Sequence, residues 1–467
     1  MNMHESAIFP AIEIPEELIR RFDSFGPRYT SYPTADRFHA EFNADSYVSY
    51  LKERDGLSDK PPLSLYIHIP FCASLCYYCA CNKVITKDRS RSAIYLTYLE
   101  KELKLVTQHL SQRESLSQLH LGGGTPTFLS HDEMRQLMAM LRQHFDFTND
   151  AEISIEIDPR TVTSESLQIL QEIGFNRTSL GVQDFDPEVQ KAVHRIQAFD
   201  MVAHTISESR RFGFESINFD LIYGLPKQSL ESFSKTLDQV ISLSPDRIAL
   251  YNYAHLPTRF KPQRRIAEAD LPSAEQRLEI FLMSLRRLLA EGYVYIGLDH
   301  FAKPDDSLAK ATLDGSLHRN FQGYTTRSDC DLIALGLSAI GKVGNSYVQN
   351  LRTLDEYYAC LDRDMLPVEK GFDLNQDDLM RRQIIMDMMC STGVDFDSVE
   401  NQYGISFRDY FANELQTMGA YALEGLVGMT DTGIRVLPKG RLFVRAFGMA
   451  FDGYLAKQTA AKYSRLI

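Results

Sequence analysis

Cys72, Cys76, Cys79 and Cys81 fall within ten residues of one another, in the run Tyr66-Ile-His68-Ile-Pro70-Phe71-Cys72-Ala-Ser-Leu-Cys76-Tyr-Tyr78-Cys79-Ala-Cys81. The chain has seven cysteines, so this one loop holds most of its thiols. The first three are spaced C-x-x-x-C-x-x-C and follow an apolar, strand-like run over 63–69. Closely spaced thiolates let one loop wrap a small iron–sulfur cube. Three thiolates can hold three irons of a [4Fe–4S] cluster and leave the fourth open, where S-adenosylmethionine can chelate and be reductively split. The rival is a four-thiolate zinc site, but zinc usually takes two C-x-x-C knuckles about a dozen residues or more apart. Cys81 comes two residues after Cys79, when the loop's reach is already filled. It is expected beside the cluster and not on it.

Further polar residues sit where strands should end. Leu121-Gly122-Gly123-Gly124-Thr125-Pro126-Thr127 closes a second apolar run, and its glycines allow close backbone approach to a ligand. Its exposed carbonyls could accept from the ammonium group of a methionine moiety. Glu156, Gln183 and Asp220 lie in later runs of the same kind. A carboxylate inside an apolar strand costs free energy unless it is paired. Each could satisfy a neighbouring backbone group, but several on consecutive strands favour a shared ligand. His194-Arg195 and the run from His318 to Tyr324 are weaker polar clusters.

The elements that must position these residues alternate regularly. Strand-like runs occur at 63–69, 116–121, 153–157, 178–182, 217–223 and 248–253, with helical stretches at 93–107, 131–144, 164–173, 201–211, 230–243 and 274–289. Six strand-then-helix units imply an α/β fold with a parallel sheet and right-handed crossovers. Ligands in such folds bind beyond the carboxyl ends of the strands. Residues 1–60 read as an N-terminal extension: a short helix after Pro15, then an ordered loop over Gly26–Thr34 rich in tyrosine and proline. Residues 61–350 read as the catalytic domain. Residues 351–467 read as a mostly helical accessory domain, with helices at 374–389 and 407–418, a small hairpin over 426–437, and a last helix from 440 to about 457.

At 467 residues, 44% apolar and 24% charged, the chain has the composition of a soluble globular protein large enough to build its core without disulfides. The first residues carry no basic and apolar leader, and no stretch approaches 18 apolar residues, so neither a secretory signal nor a membrane span is expected. An odd cysteine count without an export signal makes a reducing cytoplasm the default. A formal net charge of −12 argues against nucleic acid as a partner.

The cysteine run followed by Gly122-Gly-Gly-Thr-Pro-Thr resembles the radical S-adenosylmethionine superfamily. More narrowly, with Arg28-Tyr-Thr-Ser-Tyr-Pro-Thr34, Tyr253-Ala254-His255-Leu256-Pro257 and the His318-to-Thr326 run, the chain resembles the oxygen-independent coproporphyrinogen III oxidases over nearly its whole length. The resemblance implies a partial (β/α)6 TIM-like barrel. It implies Cys72, Cys76 and Cys79 as cluster ligands, and Tyr66, Tyr78, Gly123 and Glu156 around one S-adenosylmethionine. Gly124, Thr125, Gln183, Arg195, Asp220, Ala254 and Ile340 match positions around a second, and Tyr66 and His68 are the catalytic candidates. The implied reaction converts two propionates of coproporphyrinogen III to the vinyls of protoporphyrinogen IX in haem biosynthesis. A 5′-deoxyadenosyl radical takes a propionate β-hydrogen, carbon dioxide leaves, and one electron passes to an acceptor. The implied partners are that substrate and a low-potential donor such as flavodoxin or ferredoxin, for a monomeric enzyme. Arg28 is a candidate lid contact to the anionic substrate, against the alternative of a solvated surface arginine. Cys330, Cys360 and Cys390 match no family motif and read as buried structural thiols. Two relatives compete: a haem-degrading radical methyltransferase, which shares the cluster motifs, and a non-catalytic haem chaperone. The first is disfavoured by the Arg28–Thr34 and His318–Thr326 matches, the second by the N-terminal segment and the fourth cysteine.

Overall fold

The computed structural model describes residues 15–22, 25–327, 330–390 and 393–455. The chain forms two compact units: residues 38–287 with 329–373, and residues 1–37 with 288–328 and 374–467.

The first unit is built on six parallel strands: β1 (Leu63–Ile69), β2 (Glu114–Gly123), β3 (Phe145–Ile157), β4 (Arg177–Gln183), β5 (Ser216–Tyr223) and β6 (Arg247–Asn252). They lie side by side in chain order, each parallel to the next. A sheet wound in one direction, with no reversal of strand order, has barrel-type rather than doubly wound topology. Between them run α1 (Ser90–Thr107), α2 (His131–His144), α3 (Ser164–Glu172), α4 (Phe199–Arg211) and α5 (Leu230–Leu243). Side-chain oxygens of Ser130, Thr163 and Ser229 cap α2, α3 and α5, satisfying backbone N–H groups that each helix start leaves without a partner.

β1 is buried on nearly every residue, as expected for a strand covered on both faces. β4 and β5 alternate instead. Leu180, Val182, Phe219 and Leu221 are fully buried on one face. Ser179, Gly181, Gln183, Asn218 and Asp220 share the other, half-buried face. The two-residue period of a strand puts this polar set on one side of the sheet.

Four further strands extend the sheet on the free side of β1: β7 (Asp331–Leu335), β8 (Ile340–Val343), β9 (Ser346–Asn350) and β10 (Val368–Asp373). β7 is parallel to β1, pairing Leu63 with Asp331, and the other three are antiparallel. The strand-and-helix reading has no counterpart for this seventh parallel strand. Its junction carries a buried ion cluster in which Arg54 meets Asp331 at 2.9 Å and Glu114 at 3.1 Å, and Lys60 also reaches Glu114.

In the second unit, Glu16–Phe22 forms the short helix expected after Pro15. Gln376–Cys390 is helical as read, but the 407–418 helix is broken at Phe411 into Phe407–Tyr410 and Ala412–Leu423. The hairpin of Val427–Met429 and Gly433–Val436 gains a third strand, Gly393–Asp395. The last helix is shorter than expected. Pro438 and Gly440 set a 3-10 turn over Pro438–Phe443 before Val444–Ala450, and residues 456 and 457 of that expectation lie outside the described residues. The Arg28 guanidinium forms an ion pair with Asp299, so it is not simply solvated. Cys360 and Cys390 are buried as expected, whereas Cys330 is only half-buried, 3.7 Å from the Ser117 hydroxyl. Among the described residues no helix is long and apolar enough to cross a membrane.

Candidate active site

The cysteine loop leaves the carboxyl end of β1. Phe71–Cys72 pairs in parallel with Val84–Ile85, Cys72 opposite Ile85, and the amide of Thr86 donates to the Cys72 carbonyl at 3.0 Å. Between these ends the loop is tied at several points. The Tyr77 amide donates to the Val193 carbonyl at 3.0 Å, and the Tyr77 ring stacks on His194. Lys83 Nζ donates to the carbonyls of Cys79 and Cys81 at 3.1 and 3.2 Å.

The sulfurs are not bare. Thr125 Oγ1 donates to Cys72 Sγ at 3.4 Å. Arg195 Nη1 and Arg160 Nη2 both reach Cys76 Sγ, at 3.5 and 3.7 Å. The Cys81 thiol donates to Cys79, which pushes the Cys79 thiol down and Cys81 up. Cys81 is exposed as a residue and leans on a neighbouring thiol. Among the described residues no three His, Cys, Asp or Glu side chains converge on a site for a single metal ion. Three loop thiols with O–H and N–H donors on two of their sulfurs suit an iron–sulfur cube, whose irons are spread over its corners.

Beside the loop, the carboxyl ends of β1, β2 and β3 carry Tyr66, His68, Gly123 and Glu156. His68 Nε2 lies 2.9 Å from the Asn82 carbonyl oxygen, which can only accept. That nitrogen therefore bears the proton, and Nδ1 accepts from the Tyr66 hydroxyl at 3.1 Å. Burial holds the imidazole below its ordinary pKa, so it is neutral. Gly123 has φ +113, and a Cβ there would stand 2.6 Å from the His68 ring. Its amide donates to Glu156 Oε2 at 3.1 Å. A Cβ on Gly124 would meet the Pro70 carbonyl oxygen at 2.7 Å, so the glycine turn lies against the start of the cysteine loop. Burial raises the Glu156 pKa, but His120 beside it and the Gly123 amide outweigh that, and the carboxyl stays below its usual range. Asp220 is pushed up to about 6, chiefly by burial and then by Glu156, while Ser179 and Asn218 donate to it at 2.9 Å.

At the end of β4, a bulge between Gly181 and Gln183 leaves Gln183 at φ +68. The freed Gly181 carbonyl accepts from Arg195 Nη2 at 2.6 Å. Arg195 Nη1 also reaches Asp158 at 3.2 Å, and Arg195 Nε is buried with no hydrogen-bond partner. An anionic ligand group would satisfy that nitrogen, so the residues present fit S-adenosylmethionine as well as the cluster. Gln263 Nε2 bridges the carbonyls of Tyr78 and Ala254, at 3.0 and 3.1 Å. Ile340 opens β8, which returns from the carboxyl end of β7.

The candidate cluster and S-adenosylmethionine residues thus lie in one unit, by the carboxyl ends of its parallel strands, whereas Arg28, the His318–Tyr324 run and Cys390 belong to the other. Four neighbours of theirs were not foreseen: His120, Asp158, Arg160 and Gln263. His120 falls inside an apolar run and Gln263 in a 3-10 turn, with no motif to mark either. Arg160 had only the Asp158-Pro159 turn ahead of it as a signal.

A radical SAM superfamily profile matches residues 66–240, and the fold and thiol loop define a protein of that class. A HemN C-terminal domain profile matches residues 374–443. The chain is 50% identical over 453 residues to the oxygen-independent coproporphyrinogen III oxidase of Pseudomonas aeruginosa, spanning 97% of this chain and 98% of that one. It is 46% identical to the Escherichia coli protein of the same name, over 96% and 98%. The solved structure of coproporphyrinogen III oxidase (HemN) from Escherichia coli, described as a radical SAM enzyme, superposes with a TM-score of 0.90 at 44% identity, over 95% of this chain and all of the other. The chain belongs to the family of oxygen-independent coproporphyrinogen III oxidases.

Proposed function

We propose that this chain carries out the oxidative decarboxylation of coproporphyrinogen III to protoporphyrinogen IX without oxygen. The observation that carries the reading is the joining, at one sheet end, of a three-thiol loop, a glycine turn locked to Glu156, and Arg195 with a buried unsatisfied N–H. When bound, the cluster and S-adenosylmethionine supply the electron and the 5′-deoxyadenosyl radical that removes a propionate hydrogen.

Cys72, Cys76 and Cys79 would hold the cluster. Tyr66, Tyr78, Gly123 and Glu156 would hold one S-adenosylmethionine. Gly124, Thr125, Gln183, Arg195, Asp220, Ala254 and Ile340 would hold a second. Glu156, kept ionised, offers a carboxylate to a cationic ligand group, while Arg195 offers N–H donors to an anionic one. Tyr66 and His68 are the catalytic pair in this reading. The Tyr66 hydroxyl proton points to Nδ1 of a neutral imidazole whose single N–H, on Nε2, is fixed on the Asn82 carbonyl, a short chain that would hold a proton. Tyr78 packs against Val189, Val193, Leu225, Tyr253 and Ile266, an apolar cluster that excludes water from that side. The supply of electrons would fall to a low-potential donor protein, with cytoplasmic work by a monomer.

The test is anaerobic incubation of cluster-loaded protein with coproporphyrinogen III, S-adenosylmethionine and dithionite. Protoporphyrinogen and 5′-deoxyadenosine are expected together. S-adenosylmethionine cleavage with no protoporphyrinogen would reject the reading.

A further inference from the structure

Cys76 differs from the other loop thiols in facing two guanidinium groups. Arg160 donates to its sulfur through Nη2 and Arg195 through Nη1. Both arginines also bind one carboxylate. Asp158 Oδ2 takes Arg160 Nη2 at 2.7 Å and Arg195 Nη1 at 3.2 Å, and Asp158 Oδ1 takes Arg160 Nε at 3.0 Å. Side-chain exposures are 19% for Arg160, 9% for Asp158 and 8% for Arg195, so solvent screens the group little. Two cations against one anion leave about one positive charge beside a single sulfur.

Local backbone geometry holds Arg160 there. Asp158 follows the last residue of β3 and caps the 3-10 turn Pro159–Thr161 by accepting from the Arg160 amide, while Pro159 fixes φ at the turn's start. The same carboxylate thus anchors both the backbone and the side chain of Arg160. Arg195 has a buried N–H left over for a ligand, whereas Arg160 has the sulfur and Asp158 as its partners here.

We infer that Arg160, held by Asp158, tunes the reduction potential of the iron–sulfur cluster through Cys76. The inference rests on the reading that Cys76 is a cluster ligand. Reduction adds one electron to the cluster, taken from the donor, and part of that charge spreads onto the ligand sulfurs. Cations and N–H donors at a sulfur stabilise the reduced form and raise the potential. Asp158 opposes this, so the two residues act with opposite signs.

The experiment is a dithionite titration of cluster-loaded enzyme without S-adenosylmethionine, followed by electron paramagnetic resonance, for the wild type, Arg160→Gln and Asp158→Asn. Arg160→Gln should lower the midpoint potential, by at least tenfold in the reduction equilibrium, or about 59 mV for one electron. Asp158→Asn should raise it. Unchanged potentials, or shifts of both variants in one direction, would overturn the inference, because damage to packing has no reason to reverse sign between them. If Arg160→Gln fails to load iron, the sign for Asp158→Asn still decides. Failure of the wild type to assemble a cluster would instead strike the functional reading itself.

Discussion

Glu102 offers a measurement in which burial and hydrogen bonding can be weighed against each other. It lies on α1 and is fully enclosed. Its carboxylate accepts from the Tyr357 hydroxyl at 2.5 Å, the Gly336 amide at 2.7 Å and Asn350 Nδ2 at 2.6 Å. Tyr95, on the same helix, accepts from the Leu337 amide and donates to the His68 carbonyl at 2.7 Å. The pair therefore fixes the turn after β7 against the end of β1. Burial outweighs the three donors and pushes the Glu102 pKa from 4.5 up to about 7. Between those values the folded protein keeps a proton that the unfolded chain has lost, so stability falls as pH rises. At roughly 1.4 kcal/mol per pH unit the loss is about 3 kcal/mol, complete above pH ~7. Glu102→Gln removes that slope. Its cost relative to the wild type should therefore shrink by about 3 kcal/mol from pH ~4 to pH ~8, measured by urea denaturation of the metal-free protein at each pH. Other titrating groups cancel in the difference. A wild-type-minus-variant curve that stays flat across this range would refute the reasoning.

The other predictions are more local. Gly123→Ala combines a positive φ with a Cβ 2.6 Å from His68, a strain of about 2–5 kcal/mol; 5′-deoxyadenosine formation should fall at least tenfold with the circular dichroism spectrum kept. Arg54→Ala leaves Asp331 and Glu114 buried without their shared cation and should cost about 3–5 kcal/mol, read as a lower thermal midpoint, whereas Arg54→Met should cost less. Cys81→Ser should retain the iron content of the wild type while Cys76→Ser loses it, by iron assay after anaerobic reconstitution; iron lost equally from both would make Cys81 a ligand.

The six parallel strands and the helices between them were legible because each buries a continuous or alternating apolar pattern of its own. β7 was not. Asp331-Leu-Ile-Ala-Leu335 is short, and its partner β1 lies far back in the chain, so no local pattern marks the pairing. The last helix was overread because apolar spacing after Gly440 suits a helix, while Pro438 and Gly440 favour a tighter turn first. Within the site, motif residues were visible as types at strand ends. Arg160 was not, because its role depends on a turn swinging its side chain towards Cys76, and His120 reads in sequence as an oddity within an apolar strand.

The pairing of Cys72 with Ile85 has a consequence for how the metal arrives. It closes the stretch that carries Cys76, Cys79 and Cys81 into a loop whose ends are already joined by backbone hydrogen bonds. For a loop of this length the closure entropy is on the order of 2 kcal/mol, a cost that the backbone pairing offsets without calling on the thiols. A loop closed by its own backbone leaves less chain for cluster assembly to order, so more of the assembly free energy goes into affinity. Stripping the metal should leave a folded apoprotein, ready to be charged again.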